Sequence, residues 1–182
     1  FQSTAEALAR VISPKTKAII LNSPNNPTGT VLSAESLAAV KQAVMGKPIF
    51  VICDNVYSRL SAPCPDLSTD EELKDQLFLC QSFSKPFAMT GWRVGYVCGP
   101  APLIEVMNKI HQYGIMSAPP LSQAAGVEAM DNGDGDVARM RAEYKRRRDF
   151  LVSALNKMGL KTILPTGAFY VFADISKTGL ED

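Results

Sequence analysis

Histidine, tryptophan and net charge are all scarce in this chain. Its 182 residues hold one histidine, one tryptophan and a formal charge of +1. His111 lies on a helical stretch without an acid partner nearby, so it reads as a surface or packing residue. With so little net charge, no global field points to nucleic acid or a membrane. No apolar run approaches the roughly 20 residues a bilayer crossing needs, and the start lacks a signal-peptide pattern. Cys53, Cys64, Cys80 and Cys98 show no CxxC spacing, and three of them fall in apolar, strand-like runs. That pattern favours buried reduced thiols in a cytoplasmic protein over zinc or disulfides, and no metal is expected. Asp131-Asn132-Gly133-Asp134-Gly135-Asp136 places glycine where calcium ligands belong and lacks the closing glutamate, so it reads as a turn and helix cap. Arg139-Met140-Arg141 and Lys145 to Arg148 make a basic run, and the interleaved Glu143 and Asp149 make it read as a solvated helix face. Repeats and low-complexity tracts are missing too.

What the chain does have is alternation. Ala5, Leu8, Ala9 and Ile12 share a helical face, and Ser13-Pro14 ends that helix. Ala18 to Leu21 is a short apolar run, hence a buried strand, followed by the dense turn signal of residues 22–29. Ser33 opens a helix that runs to Gly46. Pro48 to Cys53, Leu77 to Cys80 and Val94 to Cys98 read as further strands, with Asp70 to Gln76 a short helical or turn segment. Beyond Pro100 the texture turns helical, over 101–113, 122–130 and about 136–158, with Gly159 as the stop. Lys161 to Leu164 and Phe169 to Ala173 read as two last strands. Apolar strands alternating with helices predict an α/β fold whose mostly parallel sheet is covered on both faces. A boundary is placed near Gly133, giving units 1–132 and 133–182.

In such sheets ligands gather beyond the carboxyl ends of the strands. Asn26, Asp54 and Lys85 each follow such an end. Lys85 comes after Ser82-Phe83-Ser84, and Pro86 blocks continuation of the strand. A lysine held there can be desolvated and become a nucleophilic amine. Taken singly, Lys85 also reads as a loop residue, Asp54 as a helix cap or strand-end turn residue, and Asn26 as an ordinary turn amide.

Four motifs decide among these readings. Asn25-Asn26-Pro27-Thr28-Gly29, Asp54-Asn55-Val56-Tyr57, Ser82-Phe83-Ser84-Lys85 and Gly91-Trp92-Arg93 stand in one order and spacing. Together they resemble the class I/II pyridoxal-phosphate-dependent aminotransferases of fold type I, with the resemblance covering nearly the whole chain. It implies a three-layer α/β sandwich, the large cofactor domain in part, followed by the beginning of a smaller α+β domain. It implies pyridoxal 5'-phosphate as cofactor and amino-group transfer from a 2-amino acid to a 2-oxo acid through a lysine Schiff base. On the matching positions, Lys85 would be the Schiff-base lysine and proton carrier. Asp54 would pair with the ring nitrogen, and Tyr57 and Asn26 would bond the ring's phenolic oxygen. Ser82 and Arg93 would hold the phosphate, Arg93 through its planar fork, with Trp92 and Val94 expected to shelter it. Ser84 takes no assigned role. A homodimer is implied, with no nucleic-acid or membrane partner. A carbon–sulfur beta-lyase and a non-catalytic sensor domain of a transcription regulator share the scaffold and stand as alternatives.

The start at Phe1 and the end in a polar segment at Asp182 predict a piece of a longer protein. Family members carry a glycine-containing phosphate loop, a ring-stacking aromatic and a carboxylate-binding arginine, none of which is found here. The 182 residues alone are therefore expected to bind cofactor weakly and turn over poorly.

Overall fold

The computed structural model describes residues 2–180. Thr4 caps α1 (Ala5–Val11) by accepting the Ala7 N–H, and β1 (Ala18–Asn22) follows. Parallel strands need a crossover, and α2 (Ala34–Val44) supplies it before β2 (Phe50–Asp54). Ser33 caps α2 through the Ser36 N–H, and its apolar positions Leu37, Val40 and Val44 recur at helical spacing on the buried face. Beyond β2 a single 3₁₀ turn at Ser58–Leu60 and a string of hydrogen-bonded turns over 67–76 lead to β3 (Leu77–Ser82).

β4 (Gly95–Cys98) then returns antiparallel to β3. Among the described residues the sheet order is β1-β2-β3-β4, with β1, β2 and β3 parallel, so the predicted mostly parallel α/β architecture is observed. Three helices complete the chain: α3 (Ala101–Ile115), α4 (Pro120–Asn132) and α5 (Asp134–Lys157). Gly133 serves as the end of α4 and the start of α5, in line with the turn-and-cap reading of 131–136. Among the described residues no helix is long and apolar enough to cross a membrane.

The core sits on one face of the sheet. Leu21, Val51, Cys53 and Leu77 meet Leu37, Val40 and Val44 of α2, with Leu73 from the turns fully buried beneath them. Among the described residues the second face is covered less closely than the first. Ile20, Ile52 and Phe78 lie in one register row. Ile20 is 72% exposed, the other two are half-buried, and β4 is exposed along its length. The α1–α2 layer covers the opposite face, and α3 buries none of its residues, which leaves this face open.

Two other expectations change. The last two segments do not form strands; they meet at one antiparallel bridge between Thr162 and Ala173. A lone two-stranded ribbon is marginal, and Ala168 at φ +56° breaks the extended path between them. Of the four thiols, which form no disulfide, Cys53 is buried, Cys64 and Cys80 are half-buried, and Cys98 is exposed because it falls on the edge strand.

The basic run on α5 is a solvated face, as expected. Glu143 accepts from Arg146 and Arg147 at 2.7–2.8 Å, and Asp149 pairs with Lys145 and Arg148. The two guanidiniums, Arg146 foremost, hold the Glu143 carboxyl down at about 2.

Leu73→Ala should lower stability by about 2–5 kcal/mol, because it opens a cavity in the one well-packed layer, whereas Ser33→Ala should cost about 1 kcal/mol through the lost cap; urea midpoints distinguish them. Burial pushes the Cys53 thiol from near 9 up to about 12. The unfolded thiol releases its proton first as pH rises, so this group's contribution to stability is full below about pH 8.5 and falls from there towards 12. A Cys53→Ala variant should lose less stability between pH 8 and 10 than the parent, measured by denaturant unfolding at each pH.

Candidate active site

Register brings three strand ends level. Asn22 pairs with Asp54 across β1 and β2, and Asp54 with Cys80 across β2 and β3. The side chain of Asn22 organises this edge. Its amide donates to Asp54 Oδ2 at 3.0 Å, while its Oδ1 accepts the Asn26 N–H at 2.8 Å and the Asn25 amide at 3.2 Å. The other carboxylate oxygen of Asp54 accepts the Val56 N–H at 3.4 Å. Turn 22–29 is closed further by Asn25 Oδ1, which takes both the N–H and the hydroxyl of Thr28. Gly29 ends the turn at φ +67°, and a Cβ there would lie 2.4 Å from Pro165 Cβ, so glycine is required.

Tyr57 lies three residues beyond Asp54 and is buried. Its hydroxyl accepts from the Asn26 amide at 3.4 Å and meets the Tyr170 hydroxyl at 2.5 Å. The two tyrosine rings pack edge to face, with centroids 5.4 Å apart, and Phe169 makes a second edge contact at 5.5 Å. Burial, together with the neighbouring Tyr57 hydroxyl, pushes the Tyr170 phenol up to about 12.

The Lys85 segment folds back between β3 and β4. Ser82 Oγ accepts the Ser84 N–H at 3.1 Å and donates to the Val94 carbonyl at 3.5 Å. Thr90 donates its hydroxyl to the Ser84 carbonyl at 2.9 Å, and Arg93 Nη1 donates to the Thr90 carbonyl at 2.8 Å. Buried Phe83, Pro86 and Met89 anchor the segment. Arg59 lies over the Phe87 ring at 5.0 Å and pairs with Asp134, tying the segment to the start of α5. Lys85 is half-buried, and its amine makes no hydrogen bond or ion pair among the described residues. Arg93 has a left-handed backbone at φ +53° and is exposed, although Trp92 and Val94 predict shelter. It stands at the head of the uncovered edge strand, and Trp92 is itself 47% exposed.

Thus Asp54 is joined to Asn22, Tyr57 to Asn26, and Ser82 and Arg93 to the two ends of the fold around Lys85. No direct bond links Lys85 to Asp54 among the described residues. Sequence reasoning missed Asn22 and Tyr170. Asn22 had a usable signal, since it holds on β1 the end position that Asp54 holds on β2. Tyr170 had none, because its contact spans 113 residues of chain. Two cavities, of about 760 and 530 Å³, are lined by other residues, among them Ile163 and Phe172 in one and Arg141 and Arg148 in the other. The predicted residues line an open sheet edge instead, and their chemistry outweighs cavity size in locating the site. Among the described residues no cluster of His, Cys, Asp and Glu could hold a metal ion.

The family model described as aminotransferase class I and II matches residues 1–181. A probable N-acetyl-LL-diaminopimelate aminotransferase of Bacillus subtilis is 38% identical over 99% of the chain and 46% of its own length. An aspartate aminotransferase of Musicola paradisiaca is 33% identical over 100% of the chain and 46% of its length. Among solved structures, the N-succinyldiaminopimelate aminotransferase of Mycobacterium tuberculosis superposes with a TM-score of 0.93 at 35% identity, covering 100% of this chain and 48% of that one. A Thermus thermophilus aspartate aminotransferase double mutant gives 0.92 at 36% identity, covering 97% and 47%. The chain spans about half the length of the curated relatives it matches.

Asn22→Leu strips Asp54 of its amide donor and two turn N–H groups of their acceptor. Stability should fall by about 1–3 kcal/mol in denaturant titration, and more than for Asn25→Ala, whose acceptor role is confined to the turn.

Proposed function

This chain belongs to the class I and II aminotransferase family, and from that premise we propose that the whole protein transfers an amino group from a 2-amino acid to a 2-oxo acid with pyridoxal 5'-phosphate. The family uses that cofactor, and the donor set suits it: a free amine, an oriented carboxylate, a phenol with an amide on it, and a hydroxyl and guanidinium at one loop. Pyridoxal phosphate supplies an aldehyde that captures amines and a ring that takes up the electron pair left when the substrate's Cα–H bond breaks.

The residues divide the remaining work. Lys85 would supply the amine that holds the aldehyde, and the same amine would carry a proton to and from the substrate's α carbon. Asp54, aimed by Asn22, would keep a proton on the ring nitrogen. Tyr57, with Asn26 beside it, bonds the phenolic oxygen. Ser82 and Arg93 would hold the phosphate, a planar guanidinium being suited to charge-assisted bonds with its oxygens. Residues 1–132 form the cofactor unit and 133–182 the linking helix and start of a second unit. A cytoplasmic homodimer fits the same reading.

The observation that carries it is the level edge on which Asn22 orients Asp54 and Asn26 reaches Tyr57, with Lys85 on the loop after the next strand. In the whole protein, adding pyridoxal phosphate should give the absorption band of lysine-bound cofactor, and Lys85→Ala should abolish it and cut amino transfer by at least about 10²-fold. Persistence of the band in Lys85→Ala would refute the assignment. Release of 2-oxo acid without an amino acceptor would replace transfer by a lyase reaction.

A further inference from the structure

Tyr57's hydroxyl has one proton to give and two lone pairs with which to accept. Asn26's amide donates to it at 3.4 Å, which occupies one lone pair. Its contact with the Tyr170 hydroxyl, at 2.5 Å, admits either direction of donation. If Tyr57 donates to Tyr170, its only proton is spent inside the protein, and nothing remains for a ligand. If Tyr170 donates, both lone pairs of Tyr57 are filled and its proton is left to point outward. Among the described residues Tyr170's hydroxyl bonds to no group but Tyr57's, so its proton has no competing acceptor. Phe169 packs against both rings, with centroids 5.5 Å from Tyr57 and 4.8 Å from Tyr170, and Tyr144 backs it at 5.3 Å.

We propose that Tyr170 is a positioning residue that donates to Tyr57 and thereby commits the Tyr57 proton to the phenolic oxygen of the bound cofactor. This rests on the reading of Tyr57 given above. It makes the segment after α5 a controller of proton affinity at the cofactor: a donor that is itself a hydrogen-bond acceptor is polarised and gives a stronger bond. A stronger bond to the phenolic oxygen stabilises the form that has lost its proton, so the Lys85–cofactor nitrogen holds its proton less tightly. The high phenol value of Tyr170, about 12, keeps it a donor across the working pH range. Charged and titratable groups on the elements packed against this pair are Asp54 at the end of β2, Arg59 on the 3₁₀ turn, and on α5 Tyr144, which packs on Phe169, with Arg141 and Arg148, which donate to the Ser61 and Pro165 carbonyls.

The test is the pH midpoint of the lysine-bound cofactor band in the whole protein, compared for Tyr170→Phe, Tyr57→Phe and the double variant. Phenylalanine at 170 keeps the ring contacts. Tyr170→Phe should raise the midpoint by about half a pH unit, a roughly threefold tighter hold on the proton. Tyr57→Phe should raise it further, and adding Tyr170→Phe to Tyr57→Phe should change nothing more. A midpoint unmoved by Tyr170→Phe while Tyr57→Phe shifts it overturns the inference alone, as does full additivity in the double variant. No shift with Tyr57→Phe overturns the underlying reading of Tyr57, and this inference with it.

Discussion

The bond from the Asn22 amide to the Asp54 carboxylate is the constraint on which the rest of the site depends. Parallel pairing puts the two residues opposite each other, and one side chain then does two jobs. Its nitrogen aims the carboxylate; its oxygen gathers the turn that carries Asn26. An asparagine suits this place because it presents a donor and an acceptor on one rigid plane. Aspartate would repel Asp54, and an aliphatic residue would leave one carboxylate oxygen of Asp54 and the turn N–H groups without this partner.

Packing explains why the chemistry collects where it does. One sheet face buries Leu21, Val51, Cys53 and Leu77 against α2, and this layer fixes the strands and hence their ends. Loops beyond those ends are free of the demands of core packing, so polar residues can be held there by hydrogen bonds instead. The opposite face, with Ile20 exposed and α3 unburied, contributes nothing to positioning the site among the described residues.

The strands and most helices could be read from the sequence because each is announced locally: apolar runs of strand length, Ser33 as a cap, and Ser13-Pro14, Gly46 and Gly159 as stops, the last two at positive φ. The positions of Asp54, Tyr57 and Lys85 were legible for the same reason, since Asp54 closes β2 and Tyr57 and Lys85 each sit three residues past a strand end. Failures share a different cause. The segments 161–164 and 169–173 have strand composition, but strand formation needs a sheet to join, and only the Thr162–Ala173 bridge is made. Arg93's exposure follows from β4 being an edge, a property of strand order that no local window contains. Tyr170 belongs to the same class: its partner lies on another element, and periodicity says nothing about it.

Two glycines make that distant partnership possible. Thr166 and Gly167 donate their N–H groups to the Gly29 carbonyl at 3.1 and 2.9 Å, a backbone contact between the Asn26 turn and the segment carrying Tyr170. Side chains would forbid so close an approach. A Cβ on Gly167 would lie 2.7 Å from Pro24 and Val31 and 2.8 Å from the Ser61 hydroxyl, which in turn accepts the Ala168 N–H. Ala168 then takes a left-handed φ of +56°, and Phe169 and Tyr170 follow it to the Tyr57 ring. The hydroxyl pair is thus set by backbone contacts a few residues away rather than by flexible side chains alone. Loosening either glycine position should therefore disturb the proton arrangement at Tyr57 without touching any polar group there.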